Sequence, residues 1–359
     1  MNVEQKLLLS PKDVKPSFRG WAVKGVLNPT AVRLPNKKIF MLARVAETSH
    51  QSKDPFMRCP VVVSDKHYKT LGEKIKRTDV VGKDGNLIYL KNKTCRLQTF
   101  SHLRKVVLDK SGFHVESVSE KPDFHGTPEE GQYGIEDPRI TKIGNRYLMT
   151  YVTVNHLEGV CTSLAVSKNL GSWKRQGIIF REQNKDATIF PEKIKGNYVA
   201  LHRPEGFFEF SRPSIWISHS KDLVHWGREK SIVETRPGRW DSERIGGGTV
   251  PLKTKKGWLE IYHGVEETGN GRRIYNAGAL MLDKKNPARV LARSPKNKPL
   301  FVPEKRFEKK GFISNVVFPT AAFPDLNRKD LLIYYGAADS RIAVKRMPLK
   351  EILESMVWK

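Results

Sequence analysis

Residues 137–152 read DPRITKIGNRYLMTYV, and this pattern organises the rest of the chain. A proline opens an apolar strand, a Gly-Asn turn follows, and a second apolar strand ends in aromatic and aliphatic residues. Short turns with Gly or Asn between two such stretches are typical of a β-hairpin. Proline is tolerated at the start of a strand because no ladder donor is needed there.

Four other segments repeat this pattern, beginning at Asn28, Phe190, Val250 and Phe318. The prolines of the five segments lie at positions 29, 138, 191, 251 and 319, so the gaps between them are 109, 53, 60 and 68 residues. Hairpins that cannot bury their own faces are stabilised by radial stacking. The sequence therefore predicts an all-β chain forming a five-bladed β-propeller, with an insertion between blades one and two.

The predicted boundaries follow from these gaps. The oversized first gap places the insertion at about residues 50–125, and we expect it to cover one mouth of the propeller. We expect one catalytic domain over residues 1–359, with a short C-terminal helix at about residues 348–357. A second repeat, SKNLGSW at 167–173 and SKDLVHW at 220–226, predicts a shared turn at an outer strand corner.

The composition narrows the choice of partners and compartment. The 359 residues include 64 Lys and Arg against 38 Asp and Glu, a formal net charge of +26. Because the basic residues are spread along the chain, we interpret them mainly as a solvated surface, with a field that attracts a phosphate-sized anion as the alternative. We expect no nucleic-acid and no membrane partner. The sequence leaves open whether the chain forms a homo-oligomer.

The N-terminal residues lack the apolar run of a signal peptide. The three cysteines are odd in number and widely spaced, which fits a reducing compartment. We therefore expect a cytoplasmic protein. The histidines lack HxH or HExxH spacing, so we expect no metal and no cofactor.

In a propeller, equivalent positions of successive blades converge on the axis. Aligning the five segments places Asn28 and Asp137 at one position, directly before a proline. The residues aligned near the end of the second strand are Arg44, Tyr151, Arg203, His263 and Tyr335, and Asp339 lies just beyond. Titratable groups that converge in a concavity predict a functional site. Singly, each residue has a structural alternative, such as an Arg203–Glu205 surface pair or a core histidine at 263.

Five strings of the sequence resemble glycoside hydrolase family 130. They are GIEDPRI at 134–140, FPEKIKGNYVALHRP at 190–204, GGGTVPLKTKKGWLEIYHGV at 246–265, YNAGALMLD at 275–283, and NVVFP with YYGAAD between 315 and 339. Their order and spacing hold from about Asn28 to Asp339. The resemblance implies a five-bladed propeller that acts on β-mannosides, in most members as a phosphorylase and in some as a hydrolase.

The resemblance also implies roles for residues. Asp137 matches the proton donor of an inverting enzyme, and the family's acid is thought to act through a sugar hydroxyl. The residues that match mannosyl-binding positions are Asn28, Arg44 and Asp339. The residues that match phosphate-binding positions are Arg203, Lys253, His263 and Tyr275.

The chemistry separates the two activities. An inverting hydrolase needs a second carboxylate to deprotonate water, whereas a phosphorylase needs cations that bind and orient phosphate. One acid beside several phosphate-type partners predicts phosphorolysis of a β-1,2- or β-1,4-mannoside to α-mannose 1-phosphate, with an oligosaccharide and inorganic phosphate as substrates. One alternative is a β-mannosidase that uses Asp241 or Glu243 as its base. Another is a non-catalytic sugar-binding propeller.

Overall fold

The computed structural model describes residues 4–49, 54–64, 69–206, 210–269 and 271–359, and within them almost all of the regular secondary structure is β-strand. This confirms the all-β prediction. The strands are β1 (Glu4–Leu9), β2 (Ala22–Arg33), β3 (Ile39–Thr48), β4 (Phe56–Ser64), β5 (Lys69–Lys76), β6 (Val80–Asp84), β7 (Leu87–Leu90), β8 (Cys95–Leu97), β9 (Phe100–Leu108), β10 (Val115–Val118), β11 (Ile135–Ile143), β12 (Arg146–Asn155), β13 (Gly159–Ser167), β14 (Lys174–Phe180), β15 (Asn184–Ile189), β16 (Tyr198–Pro204), β17 (Ile215–Ser220), β18 (Trp226–Val233), β19 (Arg244–Gly246), β20 (Leu252–Lys253), β21 (Trp258–Glu267), β22 (Arg273–Leu282), β23 (Val290–Arg293), β24 (Val317–Pro324), β25 (Asp330–Ala337), β26 (Arg341–Pro348) and β27 (Val357–Trp358).

Helices are few and short in the described part of the chain. They are α1 (Arg306–Lys309), α2 (Leu349–Glu354) and single 3₁₀ turns at Pro11–Asp13 and Arg77–Asp79. The helix predicted at 348–357 is therefore shorter, because the chain returns to strand β27 after it. None of these helices is long and apolar enough to cross a membrane.

Five large antiparallel sheets follow one another along the chain. In strand order they are sheet I (β10-β9-β3-β2), sheet II (β11 to β14), sheet III (β15 to β18), sheet IV (β19-β21-β22-β23-β27, with β20 on β21) and sheet V (β1-β26-β25-β24). Because β1 pairs with β26, the N-terminal strand completes the sheet formed by the C-terminal part of the chain.

The hydrophobic core is divided among the interfaces of these sheets. One buried cluster lies between sheets I and II, and others lie between II and III, III and IV, IV and V, and V and I. Contacts between strands follow the same order, since β2 contacts both β11 and β24, β11 contacts β15, β16 contacts β19, and β22 contacts β24. Each large sheet therefore packs on the next, and the last packs on the first.

Strands β2, β11 and β15, which come first along the chain in sheets I, II and III, share one irregularity. Each contains a β-bulge in which two residues oppose one on the partner strand: 28–29, 137–138 and 186–187. The first residue of each pair has a positive φ, +40° at Asn28, +47° at Asp137 and +56° at Asp186. Asn and Asp tolerate this left-handed region better than most residues, and bulges re-aim side chains. The predicted equivalence of Asn28 and Asp137 is confirmed.

The third copy was aligned wrongly from the sequence. Pro191 lies beyond the end of β15, and the residue equivalent to Asp137 is Asp186. Strand register also divides the aligned second-strand residues. Arg44 pairs opposite Leu27, the residue before the bulge in β2. Arg203 pairs in the same way opposite Lys185, the residue before the bulge in β15, and His263 pairs opposite Gly246 in sheet IV.

Tyr151 does not hold this position, and both Tyr151 and Tyr335 belong to the hydrophobic clusters between sheets. In sheet II the residue opposite Glu136, which precedes the bulge, is Val152, and Tyr151 lies one residue before it. A shift of one residue along a strand turns the side chain to the opposite face. Tyr335 pairs opposite Pro319, directly before the irregularity in β24, but its ring packs in the cluster between sheets IV and V and its hydroxyl donates to Glu308. Neither side chain therefore belongs to the cluster around Arg44.

The insertion is smaller than predicted. Hairpin β4–β5 and the small sheet β6–β7–β8 lie between β3 and β9, whereas β9 and β10 complete sheet I. The predicted end near residue 125 is therefore wrong, because residues 100–118 supply the third and fourth strands of that sheet. Residues 50–53 and 65–68 of the predicted insertion lie outside the described residues.

The repeated SKxLxxW segments form the predicted shared turn. In both, the serine hydroxyl accepts hydrogen bonds from two backbone N–H groups, Asn169 and Leu170 on Ser167, and Asp222 and Leu223 on Ser220. The two turns join the third and fourth strands of sheets II and III. The repeat therefore specifies local turn geometry.

Candidate active site

Asp137 lies at the centre of a cluster formed by sheets I, II and V. Its Oδ1 accepts hydrogen bonds from Asn28 Nδ2 at 2.8 Å and from Arg44 Nη1 at 2.9 Å. The second guanidinium nitrogen of Arg44 donates to Glu136 Oε1 at 2.7 Å. The structure therefore brings together Asn28, Arg44 and Asp137, as the sequence predicted.

The two aspartates of this cluster have opposite pKa shifts. Burial would raise the pKa of Asp137, but Arg44, Arg139 and the hydrogen bonds from Asn28 and Arg44 hold it below its ordinary value. Burial raises the pKa of Asp339 to about 6. The charge of Arg44 opposes this rise, whereas the charges of Asp137 and Glu136 add to it. Of the two carboxyl groups, Asp339 therefore holds a proton more readily.

A narrow recess opens beside these residues. Its lining includes Arg44 and Asp339, Gly25 from β2, and Asn86 and Thr99 from the insertion and its return to sheet I. Asn86 is fixed there because its Oδ1 accepts a hydrogen bond from Thr99 N at 2.8 Å. The insertion thus contributes directly to the candidate site.

Gly336 is required for the position of Asn28. A Cβ atom added at residue 336 would lie 1.9 Å from Asn28 Oδ1. Because residue 336 of β25 has no side chain, there is room for the Asn28 amide that contacts Asp137.

A second cluster lies at sheets III and IV. Arg203 Nε donates to Asp186 Oδ2 at 2.7 Å, and its Nη1 donates to Glu205. His263 Nε2 lies 3.7 Å from the same Asp186 oxygen, and the Tyr275 ring stacks near the imidazole with 6.3 Å between centroids. Three of the four predicted phosphate-binding residues are therefore together.

Electrostatics define the protonation of this cluster. Burial would raise the pKa of Asp186, but Arg203, His263 and Arg139 lower it to about 2. Burial lowers the pKa of His263 to about 4 despite Asp186, so the imidazole is neutral at pH 7. Within the described residues its Nδ1 has no hydrogen-bond partner. The histidine can therefore serve a ligand as a neutral polar group.

The two clusters form one site because Arg139 lies between them. Its Nη1 donates to Asp137 O at 3.0 Å and its Nε to Gly248 O at 2.6 Å. Its charge lowers the pKa of both Asp137 and Asp186.

Lys253 is not part of this site, which corrects the sequence prediction. It pairs with Trp258, five residues before His263 on β21, and so lies about 17 Å from it along the strand at roughly 3.4 Å per residue. Its ammonium bonds Glu192 Oε1 at 2.6 Å at the exposed end of the sheets. The lysine follows Val250–Pro251 in sequence, but the hairpin carries it away from the recess.

Lys185 and Arg244 are the cations that the sequence reasoning missed. Lys185 pairs directly opposite Arg203, and its charge opposes the raised pKa of Asp339. Arg244 begins β19, donates to Glu243 Oε1 at 2.8 Å and opposes the raised pKa of Tyr275. The signal that could have found Lys185 is its place before Asp186, which matches Glu136 before Asp137.

The two carboxylates considered for a hydrolase are held in ion pairs. Asp241 is fully buried and bonds Arg236 Nη2 and Arg293 Nη2, each at 2.6 Å. Glu243 bonds Arg244 at 2.8 Å and Arg273 at 3.1 Å. Both carboxylates are therefore already engaged by arginines.

No group of three His, Cys, Asp or Glu side chains in the described part of the chain is arranged to hold a metal ion.

An all-β chain with carboxylates and cations converging on a recess has the site of a carbohydrate-active enzyme. The family model described as β-1,4-mannooligosaccharide phosphorylase, glycoside hydrolase family 130, matches residues 110–357. The chain belongs to this family.

Known relatives extend the comparison over the whole chain. The β-1,2-mannobiose phosphorylase of Listeria innocua is 36% identical over 358 residues, covering 98% of this chain and 97% of that protein. Its structure in complex with β-1,2-mannobiose has a TM-score of 0.88, with 99% of both chains covered. A 1,2-β-oligomannan phosphorylase of a Thermoanaerobacter species is 40% identical over 236 residues, 65% of this chain and 74% of that one.

Glu260, buried beneath the site, gives a pH-dependent prediction. Burial raises its pKa to about 8, from 4.5. Because the unfolded carboxyl ionises at the lower pH, stability should fall as pH rises from 4.5 to 8. Glu260→Gln has no carboxyl group to ionise at this position and should not lose this stability. Its free energy of unfolding should therefore increase relative to that of the wild type, by up to about 1.4 kcal/mol per pH unit.

Denaturant unfolding at pH 5 and pH 8 measures the effect. The control Glu120→Gln removes a carboxylate on the exposed surface and should give the same difference from wild type at both pH values. Parallel pH dependence of Glu260→Gln and wild type would contradict the assignment.

Proposed function

We propose that this protein is an inverting phosphorylase that transfers the mannosyl unit of a β-1,2-linked mannoside to inorganic phosphate. The products are α-mannose 1-phosphate and the shortened sugar. The observation that carries the proposal is the pairing of one acid cluster, around Asp137, with an adjacent group of cations and polar donors around Arg203.

Phosphate rather than water fits this site. A hydrolase needs a second carboxylate free to act as base, and Asp241 and Glu243 are engaged by arginines. A phosphate needs donors of fixed geometry. Arg203, Lys185 and Arg244 supply positive charge, and the neutral His263 and the Tyr275 hydroxyl supply polar contacts.

The mannosyl unit would lie between Asn28, Arg44 and Asp339, and Asp137 would supply the proton. Asp137 and Asp339 share Arg44, so they titrate as a coupled pair rather than as separate groups. A sugar that draws Arg44 away from Asp137 would raise the pKa of Asp137 and favour its protonated form. Transfer of the proton through a sugar hydroxyl stays an expectation from the family.

The β-1,2 linkage is preferred to β-1,4 because relatives with that activity match most of this chain. The alternative is a β-1,4-mannooligosaccharide, as the family description states. Asn86 of the insertion lines the recess, so the insertion is the segment that we expect to contact the leaving sugar.

We also propose that the five large sheets are the blades of a five-bladed propeller forming one domain. The cyclic order of their packing, with β1 completing the last sheet, supports this architecture.

The cytoplasm stays our predicted location, supported by the free thiols of Cys59, Cys95 and Cys161.

Cleavage of β-1,2-mannobiose should depend on added phosphate and should yield α-mannose 1-phosphate, because the cations beside Asp137 would hold the nucleophile. Product analysis by NMR, with and without phosphate, measures both the product and its anomeric configuration. β-1,4-Mannobiose in parallel tests the linkage. Release of free mannose at the same rate without phosphate would support the hydrolase instead.

Asp137→Asn should lower the rate by about 10²–10⁴-fold, because it keeps the shape of the carboxyl group and removes its proton. Thermal unfolding should show that the fold is retained. A near wild-type rate on a substrate with a poor leaving group would contradict the assignment of Asp137.

Lys185→Ala should raise the KM for phosphate about 10- to 150-fold, the effect of losing one charge-assisted contact. The matched control, Lys253→Ala, breaks an exposed ion pair and should change this KM only slightly, with an effect that fades in salt. Equal, salt-sensitive changes in both variants would mean that general surface charge attracts the phosphate.

A further inference from the structure

A second cleft lies beside β1 and β26, away from the candidate active site. Its volume is about 590 Å³, within the range of small-molecule sites. The residues used below are Gln5, Lys298, Phe301, Glu304, Lys305 and Lys345, all of which line it. None of them lines the recess beside Asp339. Lys345 is the fifth residue of β26 and lies about 13 Å from its first residue, Arg341, at roughly 3.3 Å per residue, and Asp339 lies in the turn before that strand.

Lys345 is the unusual residue of this cleft. Its side chain is only 3% exposed, and its ammonium lies 4.4 Å from the centroid of the Phe301 ring. In the described part of the chain this ammonium has no hydrogen bond and no ion pair. Burial lowers its pKa, although Glu308 and Glu304 oppose the shift. Buried charges are normally paired, whereas this ammonium, at the wall of the cleft, has a ring contact and only the longer-range charges of Glu308 and Glu304 as anionic neighbours.

The rest of the cleft supplies matching groups. Lys298 and Lys305 are exposed at its rim and add positive charge around the buried ammonium. Gln5 donates from Nε2 to Glu308 Oε1 and Tyr335 Oη, each at 2.6 Å. This orientation leaves the Gln5 carbonyl oxygen, together with the Glu304 carboxylate, to accept hydrogen bonds from hydroxyl groups.

We infer that this cleft binds a small sugar phosphate, with the phosphate group beside Lys345 and the sugar hydroxyls at Gln5 and Glu304. Lysine binds phosphate as a point charge. An uncharged sugar would leave the buried ammonium without an anion, whereas inorganic phosphate would leave the hydroxyl acceptors unused. The site is independent of the proposed reaction, because it shares no residue with the Asp137 and Arg203 clusters.

Calorimetric titration of the full chain with glucose 6-phosphate tests the inference. Lys345→Met keeps the length of the side chain and removes its charge, and it should weaken binding at least about ten-fold. The matched control is Lys193→Met, whose ammonium lies at the same 4.4 Å from a ring, that of Tyr198, on another surface. It should bind like the wild type, and so should Lys185→Ala in the candidate active site.

The outcomes separate the two sites. Unchanged affinity in Lys345→Met would overturn the inference, as would a loss confined to Lys185→Ala, which would place the ligand in the active site. In the Lys185→Ala protein, where phosphate binding at the active site is weakened, inorganic phosphate that binds as tightly as glucose 6-phosphate would overturn the assignment of a sugar phosphate. If Lys345→Met does not fold, the test is Lys305→Gln at the exposed rim, which should lower the affinity for glucose 6-phosphate about two- to five-fold. An unchanged affinity in this variant would overturn the inference.

Discussion

The ion pair between Arg44 and Asp137 is the interaction on which the site depends. Arg44 lies on sheet I and Asp137 on sheet II, and the same guanidinium influences Asp339 at the end of sheet V. Three separate sheets therefore place their charges around one side chain. Because each interface between sheets has its own hydrophobic cluster, the packing holds these charges in place, and the ion pair satisfies charges that the packing buries.

The bulges explain how charged residues reach this position. A regular strand would alternate side chains between two faces, whereas a bulge with positive φ redirects the residue that precedes Pro29, Pro138 or Ala187. The sequence revealed this for Asn28 and Asp137, because a proline marks both bulges. It did not reveal Asp186, because alanine replaces the proline and the next proline lies outside the strand. Lys185, which pairs beside that bulge, was missed for the same reason.

The errors have a common physical origin. The five segments predicted the all-β class and the main hairpins, since hydrophobic alternation and turn residues are local signals. The position of Lys253 depends instead on where the β20–β21 hairpin begins to pair, and the rejection of Tyr151 depends on a register shift of one residue. Pairing between distant strands set both, so counting residues from a proline was insufficient. Arg44, Arg203 and His263 were found because their hairpins share one register relative to the site.

The arrangement of charges also bears on the choice between phosphate and water. Arg203 is paired with Asp186 and Glu205, so its charge alone does not define an anion site. Lys185 and the neutral His263 change this balance, because they add donors without adding carboxylates. For either of the two carboxylates considered as a base, Asp241 and Glu243, a hydrolase would need the reverse change, in which the carboxylate is released from its arginines and faces the sugar. Asp241, held by Arg236 and Arg293, would have to give up a buried ion pair to do so, and breaking such a pair costs about 3–5 kcal/mol. Using phosphate as the nucleophile requires no such rearrangement.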